Sequence, residues 1–147
     1  MKRAIQHTSS AAVLATGAEL SRRGYDVTFT LGNTRRVDML CSVPDGQSFK
    51  VQVKGISTAN AIYIDKSFFD GPIQQDLFLV VVLVPPLGDD SLPRFFVLSH
   101  SDAKNQFSKQ RTFKRDGSPY KIAGGLNFGS IKPYENAWGK FPLVQAK

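Results

Sequence analysis

Two short segments with alternating apolar residues, joined by a turn, constrain this chain more than any other feature. Residues 37–43 put Val37, Met39, Cys41 and Val43 on one side, and residues 49–54 do the same with Phe49, Val51 and Val53. Successive side chains of a strand alternate between faces, so each segment reads as a strand with one buried side. Between them, Pro44-Asp45-Gly46-Gln47-Ser48 is rich in turn formers, and the pair is expected to form a β-hairpin. For both apolar sides to meet one core, the numbers of facing residues must add to an even total. Loops of three or of five residues both satisfy this, and both are ordinary hairpin lengths. The longer loop sets Asp38 opposite Lys54 with Gln52 on the diagonal; the shorter sets Asp38 opposite Gln52. In either register the three polar side chains lie within roughly 5–8 Å of one another at the Cβ level. A slip of one residue would bury them and expose the valines, so the hydrophobic pattern itself fixes the cluster.

The elements around the hairpin follow from local patterning. Residues 8–23 are expected to be helical, capped by Thr8, Ser9 or Ser10, supported by alanines and ended by Gly24. Val13, Gly17 and Leu20 share one stripe of that helix, and Glu19 sits at its border. There Glu19 either pairs with Arg22 or Arg23 or looks into a cleft. Tyr25, Val27, Phe29 and Leu31 alternate with polar residues as a half-buried strand. Further on, 61–65 is expected to be a short strand, 77–84 a central buried strand, 94–99 another strand and 102–109 a helix. Trp138 is expected to anchor the C-terminal segment on the core.

At 147 residues the chain is most simply one domain, 1–147, long enough to bury a core. Its 41% hydrophobic and 21% charged residues fit a globular protein rather than a disordered one. The net charge of +7 points to an anionic partner, and nucleic acid offers the densest negative charge. From 104 to 121 the basic residues Lys104, Lys109, Arg111, Lys114, Arg115 and Lys121 alternate with Phe107, Phe113 and Tyr120. That mixture suits a surface tracking phosphates with stacking groups, the preferred reading here over a loop made soluble by its charges. Arg35 and Arg36, just before the hairpin, could also hold phosphates.

Several chemistries find no support. The one cysteine, Cys41, lies on an apolar strand face as a packing residue and is compatible with a cytoplasmic setting. His7 and His100 stand in no ligand spacing, which disfavours zinc and Ser-His-Asp chemistry. Gly124-Gly125 lacks the context of a phosphate loop. No apolar stretch follows Met1-Lys2-Arg3, so no signal peptide is expected, and 77–84 is far too short to span a membrane.

A helix bearing Glu19, a strand, then a hairpin with Asp38 on one strand and Gln52-Val53-Lys54 on the next resembles the PD-(D/E)XK nuclease superfamily. The Gln-x-Lys variant is similar to that of intron-encoded homing endonucleases built on this fold, and Glu19 matches the helix carboxylate found in Holliday-junction resolvases among others. The resemblance covers residues 8–55 well and the rest loosely. It implies a restriction-endonuclease-like α/β domain, a mixed sheet flanked by helices, and Mg²⁺- or Mn²⁺-dependent cleavage of DNA.

Under that resemblance Asp38 is the principal metal ligand, Gln52 gives its side-chain carbonyl and Val53 its backbone carbonyl. Glu19 serves the outer sphere or a second metal, and Lys54 orients the attacking water. Mg²⁺ needs only one or two carboxylates when substrate oxygens complete its shell. Arg35, Arg36, Lys109, Arg111, Lys114 and Arg115 are the candidate nucleic-acid contacts. A homodimer or higher assembly would match duplex symmetry. The alternatives are a nuclease-fold module that binds nucleic acid or protein without cutting, and an immunity- or antitoxin-like interaction protein.

Overall fold

The computed structural model describes residues 2–30, 37–44, 46–110, 115–118 and 125–145. Helix α1 (Ile5–Arg22) comes first, followed by strands β1 (Asp26–Phe29), β2 (Met39–Ser42) and β3 (Ser48–Ile56). A crossover containing a 3₁₀ turn, Lys66–Phe68, leads to β4 (Leu77–Leu83), β5 (Arg94–Ser99) and helix α2 (His100–Lys109). The short helix α3 (Phe128–Ile131) and two further 3₁₀ turns complete the described chain. The strands form one mixed sheet in the order β1-β2-β3-β4-β5, with β3 and β4 parallel and the other neighbours antiparallel.

β4 explains the two-layered core. Its side chains alternate, yet both faces are covered, so its residues from Leu77 to Val82 are all buried. That is why the strand reads as a continuous apolar run. Phe78, Val80 and Val82 pack with Met39, Cys41, Phe49, Val51 and Val53 beneath Ala12 and Leu20 of α1. Leu77, Leu79 and Val81 pack on the other face with Ile62, Ile64 and Phe68 of the crossover and Ala103 of α2. Trp138 and Phe141 close the first layer, as expected of Trp138, and the Tyr25 hydroxyl donates to the Pro142 carbonyl at 2.6 Å.

The expected elements recur with three differences. α1 begins at Ile5 with Ala4 as an N-cap that makes no side-chain capping bond. Thr8 is instead buried within the helix, because there it faces β3. Residues 61–65 do not join the sheet; Ile62 makes a single bridge to Leu126. Their alternation is real, since Ile62 and Ile64 are buried, but it records which side is covered and not what pairs the backbone. α2 starts two residues early because Ser99 caps it in a reciprocal box with Asp102. α3, the residues of which carry no strong periodic pattern, was not expected.

Candidate functional site

β2 pairs with β3 only as far as Met39 opposite Val51. Beyond that point β3 remains paired to β4 through Ile56, while its other edge is left by β2. Backbone donors on such an edge need new partners. The carboxylate of Asp38 supplies one, its Oδ2 accepting from the Val53 N–H at 2.7 Å. The Asp38 backbone is held as well: its N–H donates to the Val51 carbonyl at 2.9 Å, and its carbonyl accepts from the Thr30 N–H at 3.0 Å. The Thr30 hydroxyl fixes the preceding residue by donating to the Val37 carbonyl at 2.7 Å. Asp38 is thus set by β3 and by Thr30, just past β1, before any ligand arrives.

The register settles the alternatives left open by parity. Val43 pairs with Gln47 through an N–H···O bond of 3.0 Å, and Met39 faces Val51, so the shorter loop is the one used. The ladder ends at Met39 opposite Val51, and the Asp38 N–H donates to that same Val51 carbonyl, so Asp38 sits at a break in the pairing, beside Val53. Asp38, Gln52 and Lys54 line one cleft of about 280 Å³, together with Val37, Val53, Gly55 and, from α1, Ser9 and Val13.

Two electrostatic features distinguish this cleft. Burial pushes the Asp38 carboxyl above the usual carboxylate range, against the opposing pull of the Val53 N–H and of the Lys54 charge. Gln52 is 6% exposed, and its Oε1 is buried with no hydrogen-bond partner among the described residues. A buried amide oxygen without a donor is costly and rare in a folded protein.

The chain shares its fold with a bacterial homing endonuclease. The likeness is to the solved structure of I-Ssp6803I, with a TM-score of 0.51 and 18% sequence identity, over 92% of this chain and 90% of that one. No protein-family model matches the sequence, and no curated protein does. The mixed five-stranded sheet flanked by helices is therefore a nuclease-like fold, carried here by a distant sequence.

Glu19 stands apart from the cleft. Its carboxylate is held by Arg22 at 2.6 Å and by Arg23 at 2.9 Å, so of the two placements open to it the arginine pairing is the one adopted. These bonds, Arg22 first, keep its carboxyl below the usual range. The physical reason is axial distance. Glu19 lies ten residues beyond Ser9, about 15 Å along a helix rising 1.5 Å per residue. Ser9 and Val13, one turn apart, are the α1 residues that reach the cleft. Stepping back one turn from the Val13 stripe would have found Ser9 in the sequence.

α1 comes this close because position 55 has no side chain. A Cβ at Gly55 would stand 2.7 Å from the Thr8 carbonyl oxygen and 2.9 Å from the Ala12 Cβ. Of the expected nucleic-acid contacts, Arg35, Arg36, Arg111 and Lys114 lie outside the described residues. Lys109 and Arg115 are exposed, on and beyond α2, and do not line the cleft. Burial raises the Cys41 thiol to about 12, which fits a packing residue and not a nucleophile. Among the described residues no helix is long and apolar enough to cross a membrane.

Proposed function

We propose that the cleft is the active site of a metal-dependent DNA endonuclease of the PD-(D/E)XK type, with Asp38, Gln52 and Lys54 as its working side chains. The observation that carries this reading is the buried, partnerless Oε1 of Gln52, a residue that lines the same cleft as Asp38. An oxygen so placed calls for a donor or a cation, and a carboxylate beside it makes a hard cation the better fit. The residues fit Mg²⁺ or Mn²⁺ as oxygen donors. Asp38 would hold the ion through the oxygen not engaged by Val53, and Gln52 through Oε1. The Val53 carbonyl leaves the strand on the same edge as its N–H and could add a third oxygen.

A bound divalent cation would supply Lewis acidity at a phosphate oxygen and a more acidic water. The chain's own residues supply the arrangement. Val53 N–H keeps the Asp38 carboxylate turned toward the notch. The Lys54 ammonium, in the same cleft as Asp38, would orient an attacking water and offset charge on the phosphoryl oxygens. Val13, Val37 and Val53 supply the apolar part of the lining. DNA as the substrate is supported by the net charge of +7 and by the fold shared with a homing endonuclease. A two-fold assembly would let two such clefts address both strands.

The test is incubation with supercoiled plasmid and branched DNA, with Mg²⁺ or Mn²⁺ against EDTA. Wild type should nick or linearise DNA only with metal, and Asp38→Ala and Lys54→Ala should each lower the rate at least about 100-fold. One observation favours a second reading: a single carboxylate lines the cleft, which suits a nuclease-fold module that binds nucleic acid without cutting. That module would retain DNA unchanged in both variants and leave every substrate whole under all metals.

A further inference from the structure

The peptide that joins Val37 to Asp38 is turned out of the regular ladder. The β1–β2 pairing ends with Phe29 opposite Met39. One step further, Thr30 and Asp38 make only one of the two N–H···O bonds that a hydrogen-bonded antiparallel pair exchanges. The Thr30 N–H donates to the Asp38 carbonyl at 3.0 Å, while the Asp38 N–H is diverted to the Val51 carbonyl of β3 at 2.9 Å. The N–H and C=O of a trans peptide point in opposite directions, so turning the Asp38 N–H toward β3 turns the Val37 C=O toward β1. The Thr30 hydroxyl meets it there, donating at 2.7 Å. One peptide is therefore held at both its ends. Thr30 is anchored in turn by its neighbour: the Phe29 ring fills the space beside Gly17, where a Cβ would stand 2.5 Å from the ring Cζ.

Resting on the nuclease reading, we infer that Thr30 is a positioning residue whose hydroxyl selects the peptide orientation that aims Asp38 into the cleft. Two orientations compete for this peptide. In the regular one the Asp38 N–H would turn back to β1 and the Val37 carbonyl would face β3. The observed one needs a donor for the Val37 carbonyl on the β1 side, and the Thr30 N–H is already taken by the Asp38 carbonyl. The side-chain hydroxyl is that donor. The same peptide sets the backbone angle at Asp38, and with it the direction in which the side chain leaves the strand. As it stands, Oδ2 meets the Val53 N–H at 2.7 Å and the residue lines the cleft. Thr30 does not line the cleft itself, so it acts through Asp38 and not on the substrate. The bond needs only the hydroxyl, which serine shares and valine, of nearly the same shape as threonine, lacks.

The experiment compares wild type, Thr30→Val and Thr30→Ser by two readouts on the intact chain. The first is steady-state cleavage of plasmid DNA with Mg²⁺. Thr30→Val should lose kcat on the order of 10- to 100-fold with KM for DNA changed less than about twofold, since a misaimed Asp38 spoils the reaction and not the hold on the duplex. Thr30→Ser should keep kcat within about threefold of wild type. The second readout is amide hydrogen exchange in EDTA, which needs no activity. The Val53 amide should exchange at least about tenfold faster in Thr30→Val than in wild type or Thr30→Ser, with the β4 amides unchanged. Should Thr30→Val fail to fold, Thr30→Ala takes its place in both readouts. A serine variant as slow as the valine variant, or a Val53 amide equally protected in all three proteins, would overturn the inference and leave the nuclease reading intact. Faster exchange spread through β4 would mark a general loss of stability and overturn it too. A wild type that cuts no DNA would overturn the nuclease reading, and the Val53 exchange would still decide whether the hydroxyl holds Asp38.

Discussion

Asp38 carries conflicting demands. Its carboxylate satisfies the Val53 N–H at an open strand edge, yet burial holds its pKa above the ordinary range. The folded chain then grips that proton more firmly than the unfolded chain does. Its contribution to stability is full below the unfolded pKa and is lost as pH rises through the folded one. At neutral pH the ionised group is a net cost to the fold. Asp38→Asn keeps an oxygen for Val53 and removes the charge. It should melt above wild type at neutral pH in EDTA, with the difference shrinking toward acid, and should cut no DNA. Thermal melts across that pH range check the sign, and a variant that melts lower at neutral pH would contradict it. Such opposition between stability and activity is common where a charged group is buried for function.

At the scale of elements, α1 and α2 are held by different means. α1 lacks a side-chain cap and depends on packing against β3, which Gly55 permits. Gly55→Ala must push the helix away or strain the strand, and is expected to cost about 1–3 kcal/mol in urea denaturation. Because Ser9 and Val13 ride on that helix, the same change should also widen the cleft. α2 is fixed by its capping box, in which the Ser99 hydroxyl accepts from the Asp102 N–H at 3.0 Å. Ser99→Ala should cost about 1 kcal/mol, measured in the same way. Burial would raise the Asp102 carboxyl, but its bonds to Ser99 and Lys140 outweigh that and hold it below the usual range. Its contribution is therefore present above the ordinary carboxylate pKa and is lost as pH falls through the folded value. Acid titration should loosen α2 in wild type and, over that window, have less effect in Ser99→Ala.

For the molecule as a whole, layering and charge are the governing quantities. The second core layer runs from Ile62 to Ile131 and covers the sheet face opposite α1, while on β3 the half-buried Lys50 and Lys54 flank the buried Gln52. An apolar sheet thus ends in a polar notch. The excess of 19 basic over 12 acidic residues gives the chain as a whole a net positive charge. If phosphates are the partner, log affinity should fall linearly with log salt, and Lys109→Ala and Arg115→Ala should each reduce the slope by about 0.9 where the residue meets a phosphate. Anisotropy titrations over a range of salt concentrations measure this directly. A flat salt dependence would turn attention to a protein partner.

Much of this was legible in the chain itself. Strict alternation in 37–43 and 49–54 requires that Asp38, Gln52 and Lys54 share a neighbourhood, because a strand has only two faces and the valines claim one of them. The buried run of β4 and the bounds of β5 follow from the same patterning. Other features depend on distances between segments far apart in sequence. Parity allowed two registers, and only the Val43–Gln47 pairing chose between them. Helical periodicity set Glu19 at the border of a buried stripe, but where along its axis a helix crosses a sheet is decided by close packing. Here that crossing falls at Gly55, which brings Ser9 to the cleft and leaves Glu19 to its arginines. Sequence determines which faces are buried; the point at which two buried faces touch is a property of the packed whole.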